Sequence, residues 1–561
     1  MSDITLLAHY DSFLTNFYLH NTFLIMTAIF SIFLFLLVIN FKTIAKRFSK
    51  ISRKYWLILF LIFLVGFWLR NAEYMYGPHT DGFHYAESAR YLAQYDLFVR
   101  DCSIGNGEDC KLYEQALHTP GYPYLISIFY KAFGVNSIFA PAISGFLSSF
   151  TIILIFLICY LLFKKEETGL WVGLCAALIF SLIPLDVALD STGTVRPTSL
   201  FFISLTTLFY LLALEKSSIK LWSLVAITFS YSIYIRQENS ILLIPMLLGP
   251  LLFGIYKRIE FKNWRKTLIS FLKKFLIPIL LFVVTQLSVQ YWILFGNVGY
   301  NSTGPVFAFK YFKSLAPFII KTLFSREMFG TPLYNPIISF LFFGSFIFIL
   351  FKKEFRKQLI FLWVLFLTYF IVHSAYFQCP GFPQNFCTDF IRYVQHLHVP
   401  YAILAGFSFF SLISSLKKKE IALFILFAVL MLTSSISFLP TLFKDARMEK
   451  PEFVASYFRA VNSTPNGCTV ITWYYMVPTS DVFPNNTRKT ININLIFPNS
   501  QPNTKQLSLE LISESPCTYY FDDGVCQNKE EYPCKFIYEN LNLIYLYSIN
   551  EIKIYNVTLK I

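Results

Sequence analysis

Charge is what this sequence has least of. Only 14% of its 561 residues are Asp, Glu, Lys or Arg, against about 25% in soluble domains. The deficit excludes a wholly soluble chain, because it is concentrated in apolar runs of 15 to 23 residues. About 20 such residues cross a bilayer core as a helix, and hydrocarbon offers their backbone groups no partner outside the segment. Residues 1–21 hold no Lys or Arg, so the basic region of a cleavable signal is missing. No His-X-X-X-His pair and no cysteines at two-residue spacing occur, which argues against a structural zinc site.

What is abundant is apolar and aromatic: 55% hydrophobic residues and 19% Phe, Trp and Tyr. Twelve spans are expected, at 22–41, 55–70, 140–163, 169–186, 197–214, 221–235, 239–256, 275–296, 335–351, 358–375, 395–415 and 420–440. The pair at 221–256 reads either as two short helices or as one broken one. The net charge of +14 raises nucleic acid as a partner, but its placement argues against that. Lys42 to Lys54 holds six basic residues, Lys257 to Lys274 seven, Lys352 to Lys357 four and Lys417 to Lys419 three; Lys164, Lys165, Lys216 and Lys220 fill the remaining loops of the same side. The positive-inside rule makes that side cytoplasmic. The tail, the 71–139 loop, the 297–334 loop and residues 441–561 are then expected outside, with the chain multi-pass in the plasma membrane and surrounded by its lipids.

Two further patterns agree with that orientation. Asn-X-Ser/Thr acceptors stand at Asn301, Asn462, Asn485 and Asn556, and eight of ten cysteines fall in the outer segments. An even, loop-confined set points to disulfides in an oxidising compartment, with Cys102/Cys110, Cys379/Cys387 and Cys526/Cys534 as the expected pairs. The expected architecture is an all-α polytopic membrane module over 1–440, with interfacial helices in its first large outer loop, and a small C-terminal α/β domain over 441–561. In the latter, Glu449–Val461 and Lys505–Ser515 read as helices. Cys468–Trp473, Thr518–Phe521 and a pair within Leu543–Tyr555, turning at Asn550, read as strands. The domain carries no nucleotide loop or catalytic motif, so a cap that shapes access is the favoured role.

Ionisable groups near membrane depth mark function more often than surface charges do. The most informative stretch is His79-Thr80-Asp81-Gly82-Phe83-His84-Tyr85-Ala86-Glu87-Ser88-Ala89-Arg90. Asp81, His84 and Tyr85 share a helical face, and a carboxylate with an imidazole there suits general-base work. The plainer reading is an Asp N-cap on an amphipathic helix lying along the membrane, and the residues alone favour neither. Thr119-Pro120-Gly121-Tyr122-Pro123 reads as a turn before another interfacial helix. Outer span ends carry Arg196, Arg236-Gln237-Glu238 and Asp389-Phe390-Ile391-Arg392-Tyr393. Guanidinium groups suit phosphate, since their planar fork binds two oxygens and stays charged; the alternative is that each snorkels or pairs locally. The histidines, His373, His396 and His398 among them, read mostly as interfacial.

These residues resemble the membrane-embedded glycosyltransferases of the C-type superfamily, in the branch of the protein O-mannosyltransferases and lipid A aminoarabinose transferases. Those enzymes carry an Asp-Glu-X-X-Tyr-Ala-Glu-X-Ala-Arg type segment in the first outer loop. Asp81, Tyr85, Ala86, Glu87, Ala89 and Arg90 match it in register, and His84 matches the mannosyltransferase form. Pro120, Pro123 and Phe133-Gly134, the Arg236-Gln237-Glu238 site and Arg392-Tyr393 follow the family layout over roughly residues 55–415. Gly82 replaces the family's second acid, which removes a ligand from its paired-carboxylate site. No cofactor is therefore assigned, and a divalent metal is the one candidate. Arg196 stands where many relatives carry an acid. The Trp-Trp-Asp signature of oligosaccharyltransferases is missing; the nearest stretch is Thr472-Trp473-Tyr474-Tyr475.

The resemblance implies transfer of a sugar from a polyprenyl-phosphate donor to a protein, lipid or glycan hydroxyl, with inversion, at the outer leaflet. It implies Asp81 as base with His84 beside it, and Tyr85, Glu87, Arg196, Arg236, Glu238, Arg392 and Tyr393 on the substrates. A multi-span transporter or lipid flippase is the rival. Against it, no half-to-half hydropathy repeat is visible, and transporters seldom need a large outer loop plus an outer domain.

Overall fold

The computed structural model of the protein describes residues 13–71, 81–106, 110–115, 119–136, 138–163, 166–216, 218–253, 275–287, 309–324, 335–375, 394–414, 422, 424–433, 451–472, 487–493, 503–524, 526 and 534–560. The chain forms two compact units. One comprises Met1–Met26, Tyr76–Ala140 and Glu449–Ile561, the other Thr27–Met75 and Pro141–Met448.

The second unit is helical and belongs in a membrane. Helix α1 (Phe13–Phe48) runs on from the first unit into it, and α2 (Arg53–Asn71) follows. After α3 (Asp81–Gln94) and α4 (Gly121–Phe133), both in the first unit, the chain returns through α5 (Phe139–Leu162), α6 (Glu166–Ser181), the short α7 (Pro184–Leu189), α8 (Val195–Lys216), α9 (Ile219–Ile235) and α10 (Leu243–Leu252). Among the described residues six helices are long and apolar enough to span: Phe17–Phe48, Arg53–Asn71, Phe139–Leu162, Val195–Lys216, Lys353–Ser374 and Val394–Ile413. Five more, Glu167–Ser181, Ile219–Ile235, Phe275–Leu287, Pro336–Phe351 and Phe424–Thr433, are apolar but shorter. At 1.5 Å per residue α2 is about 28 Å long, close to the hydrocarbon thickness. Its outward side chains, such as Leu57, Phe60 and Trp68, are exposed, as a lipid-facing surface requires.

Where two helices or one broken helix was expected, the chain makes two. Helix α9 ends at Arg236, whose backbone is extended (φ −150°, ψ 126°), and a 3₁₀ turn, Gln237–Leu242, leads into α10. The Asn239 amide caps the break by donating to the Ser232 carbonyl at 2.8 Å. Close helix packing uses small residues. A Cβ on Gly406, in the His398–Ile413 helix, would lie 2.7 Å from the Ala176 nitrogen of α6.

The first unit is built on one seven-stranded sheet, ordered β2-β1-β4-β3-β5-β7-β6. Strands β1 (Val99–Gly105) and β2 (Leu112–Gln115) come from the first outer loop; β3 (Thr469–Thr472), β4 (Lys489–Asn492), β5 (Thr518–Asp522), β6 (Leu541–Ile549) and β7 (Ile552–Leu559) come from the C-terminal segment. The centre, β4-β3-β5, is parallel, and the outer pairings are antiparallel. Such parallel strands are buried on both faces. One face packs Ile104, Ile471 and Ile491 under Leu511, Phe536 and Ile537; the other packs Val470 and Ile554 under Tyr457 and Val461. Asn550, at φ 53°, makes the β6–β7 turn, as its residue type allows.

The sequence expectation placed interfacial helices in the 71–139 loop and drew a domain boundary at 440. The loop instead also contributes a hairpin to the C-terminal sheet, with Ile104 opposite Ile491. Helix α3 is not a lone amphipathic helix. It packs on α4 and β1, and Phe83, His84, Tyr85, Ala86, Glu87, Ala89 and Tyr91 are all buried. Disulfides join Cys102 to Cys110 and Cys526 to Cys534, as expected, and also Cys468 to Cys517; Cys379 and Cys387 lie outside the described residues.

Because β1 pairs with β4, truncating the chain after Met448 removes five of the seven strands. Limited proteolysis should then cut residues 99–115, which the full chain protects. Equal protection in the truncated protein would show that the loop folds without the sheet.

Candidate active site

The expected site residues divide between the two units. In the first, Asp81 opens α3, and its side chain lies outside the described residues. One turn on, His84 and Tyr85 are each only 5% exposed, and the Tyr85 ring meets Tyr122 at 5.3 Å. Glu87 is fully buried and receives Arg90 at 2.7 Å. Arg90 also donates to Asn106 Oδ1 at 3.0 Å, the Asn106 amide donates to the Arg488 carbonyl at 2.8 Å, and the Arg488 guanidinium donates to the Thr464 carbonyl at 2.6 Å. A continuous polar chain thus ties α3 through the β1–β2 hairpin to β4. Charge-assisted bonds of this kind are roughly twice as strong as neutral ones.

In the second unit, Arg236 pairs with Glu238 and Arg196 is buried, while Arg392 and Tyr393 lie outside the described residues. The break after α9 turns Arg236 back on Glu238, with contacts of 2.6 and 3.3 Å from two guanidinium nitrogens. Burial works to raise Glu238, but the Arg236 guanidinium overrides it and holds the carboxyl down at about 2. The charges of Glu238, Arg236 and Arg196 all bear on the ring of His373, on the Arg356–Ser374 helix. That ring stacks on His396 at 5.2 Å, and His396 stacks on Tyr369 at 5.6 Å. His396 Nε2 lies 3.0 Å from Ser199 Oγ, which also bonds Asn239.

A second buried group was not singled out in the sequence. Arg70, at the end of α2, donates from Nε to Asp190 at 2.8 Å and from its two terminal nitrogens to the Ser181 and Phe180 carbonyls at 2.7 Å each. Asp190 also accepts from Ser148. Gln395 Nε2 bridges Asp186 at 3.0 Å and Asp190 at 3.2 Å, and His398 Nδ1 donates to Asp186 at 2.7 Å. Burial, and then the Asp186 carboxyl, push Asp190 above the ordinary carboxylate range, against the pull of Arg70. Asp186 Oδ2 and Gln395 Oε1 have no hydrogen-bond partner among the described residues.

Four of the five described histidines, His84, His373, His396 and His398, are therefore buried rather than interfacial. The signal for Asp186 and Asp190 was available. They are the only acids between Glu167 and Glu215, one helical turn apart. Among the described residues no group of three or more His, Cys, Asp or Glu could hold a metal ion.

Removing one partner of a buried ion pair costs about 3–5 kcal/mol, whereas apolar replacement of both is often neutral. Arg70→Met should therefore lower thermal stability in detergent strongly, and Arg70→Met with Asp190→Leu should recover most of the loss. An Arg70→Met protein as stable as wild type would show that the pair is not a fixed contact.

Residues 117–299 match the family model of dolichyl-phosphate-mannose-protein mannosyltransferase. The fold is similar to that of ArnT from Cupriavidus metallidurans, solved bound to undecaprenyl phosphate. The TM-score is 0.52 and the identity 11%, over 90% of this chain and 98% of that one. It is also similar to the oligosaccharyltransferase AglB from Archaeoglobus fulgidus, solved with an inhibitory peptide and a dolichol-phosphate. There the TM-score is 0.50 and the identity 10%, over 91% and 74% of the two chains. No curated protein matches the sequence. At these identities the structural likeness is one of fold. In sequence over 117–299, and in fold along most of its length, this integral membrane chain resembles the C-type glycosyltransferases, on their mannosyltransferase and ArnT side.

Proposed function

We propose that the protein moves a sugar from a polyprenyl-phosphate donor to an acceptor hydroxyl on the non-cytoplasmic face of the membrane, with inversion. The observation that carries this reading is the burial of two guanidinium groups, Arg196 and Arg236, the second held by Glu238 at 2.6 Å. Guanidinium charge in a dry interior is costly and suits a group that gains negative charge during reaction. The mannosyltransferase match over 117–299 supports the same class.

In the proposed reaction Asp81 takes the proton of the acceptor hydroxyl as its oxygen attacks the anomeric carbon. The bond from that carbon to the phosphate oxygen breaks, and its electron pair leaves on the lipid phosphate. Attack from the face opposite the leaving group inverts the centre. Arg236 and Arg392, with Arg196, answer the charge on the departing phosphate. Glu238 keeps Arg236 oriented, and His84 and Tyr85 orient the acceptor side.

Asp81→Asn should abolish transfer while leaving expression and thermal stability near wild type; a mutant that keeps most of its activity removes Asp81 as the base. Arg236→Ala should lower the rate by about 10²–10³-fold, the usual effect of deleting one transition-state contact. Mass spectrometry of reactions with a panel of polyprenyl-phosphate sugars reads both. Solute uptake by proteoliposomes with no glycosylated product from any donor would favour the transporter reading instead.

A further inference from the structure

The turn Val394–Leu397 stands between the two buried groups. Gln395, with His398 one residue beyond the turn, faces α7 and binds Asp186 and Asp190. His396, between them in sequence, faces the other way, against Ser199, His373 and Tyr369. Asp186, Asp190, Arg70, Gln395 and His398 are all 0% exposed. Buried ion pairs of this kind contribute little net stability, because desolvation offsets the attraction. Here two acceptor atoms, Asp186 Oδ2 and Gln395 Oε1, are also left unanswered among the described residues, and a partly satisfied network is worse for stability than an apolar one. Stability is therefore a poor account of why these groups sit there. A fixed direction for the turn is a better one.

We infer that Asp186, Asp190, Gln395 and His398 are positioning residues of the proposed transferase site: gripping the Val394–Leu397 turn from the α7 side, they hold the His396 ring against Ser199 and stacked on His373. The inference rests on the transferase reading for its effect on rate, but not for its effect on His396. The grip is directional. Asp190 is anchored by Arg70, itself fixed to two main-chain carbonyls of α6. Gln395 Nε2 spans both carboxylates, so rotation of the turn would break two bonds at once. His398 binds Asp186 through Nδ1 at 2.7 Å, so the helix that follows the turn is held to the same carboxylate as Gln395.

The test compares His398→Asn with His398→Leu in the full chain in nanodiscs. An asparagine amide nitrogen occupies the place of Nδ1 and can donate to Asp186; leucine cannot, and both lack Nε2. His398→Asn should keep kcat within about three-fold. His398→Leu should lose about 10- to 100-fold in kcat at nearly unchanged donor KM, as a misplaced group does. ¹⁵N-histidine NMR, with the His396 signal assigned through His396→Gln, supplies a readout independent of activity. That signal should shift in His398→Leu and in Gln395→Leu, and stay in place in His398→Asn. If His398→Leu does not fold, Gln395→Leu carries the test. A His396 signal unmoved in the leucine variants overturns the inference, as does an equal loss of kcat in His398→Asn and His398→Leu. If no donor sugar is transferred by the wild type, the transferase reading fails, and the position of the His396 signal still decides whether the grip exists.

Discussion

A guanidinium shut away from water must be answered in place, and Arg70 is shut away completely. Five hydrogen bonds converge on it, from Asp190, Ser148, two α6 carbonyls and its own helix. This fixes three things together. It pins the end of α2 to α5 and α6, it holds Asp190 at the end of α7, and through Gln395 it sets the turn that leads into the His398–Ile413 helix. The surrounding helices bring mainly apolar and small-residue contacts, which resist separation but say little about rotation or register. The polar group supplies that direction, since a hydrogen bond at 2.8 Å tolerates far less displacement than a leucine contact.

The first unit solves a comparable problem with backbone. A long loop between two membrane helices has no intrinsic reason to hold α3 in one attitude, and loop ordering is entropically expensive. Sheet pairing meets that cost. Strand β1 joins β4, the Cys102–Cys110 bridge closes the hairpin tip, and the Glu87–Arg90–Asn106–Arg488 chain fastens α3 behind it. The C-terminal segment is thus more than a cap attached to a finished membrane module. It completes the sheet on which the Asp81 helix rests. Arg90, the last residue of the motif found in the sequence, is a member of this frame.

What the sequence made legible follows from the range of the forces involved. Apolar length and charge placement are local, so most spans, the 451–462 and 504–514 helices, and strands β3, β5, β6 and β7 are readable from neighbouring residues. The β1–β2 hairpin was not, because its strands, Val99-Arg100-Asp101-Cys102-Ser103-Ile104-Gly105 and Leu112-Tyr113-Glu114-Gln115, are short and charged. Their partner, Ile491, lies almost 400 residues on. The buried histidines were misread for a related reason. His373, His396 and His398 sit at helix ends where hydropathy is mixed, and whether such an end meets headgroups or another helix depends on packing that sequence does not display. Asp186 and Asp190 were within reach. Their isolation in an apolar region and their one-turn spacing mark a shared polar neighbour, but nothing nearby in sequence names it as Arg70 or Gln395.

Gly82 bears on how the proposed chemistry is balanced. Where the resemblance implies two adjacent acids, this chain offers Asp81 and a residue with no side chain, and so one fewer ligand for a divalent ion. The same chain carries Arg196 at the start of α8, where the resemblance implies an acid. Against that implied pattern the loop has one negative charge fewer and α8 one positive charge more. A guanidinium is permanently charged and needs no loading, but it is fixed in place and cannot be exchanged. Its field is useful only if its direction is set by the fold. Glu238 supplies that direction for Arg236, at 2.6 Å, and the guanidinium in turn holds its carboxyl well below the usual carboxylate range. The Arg236 guanidinium is therefore oriented by its own chain. In the reaction we propose, this shifts the burden from an ion that must bind to a set of helix ends that must stay in register, which is the property the buried contacts of Arg70, Asp190 and Gln395 confer.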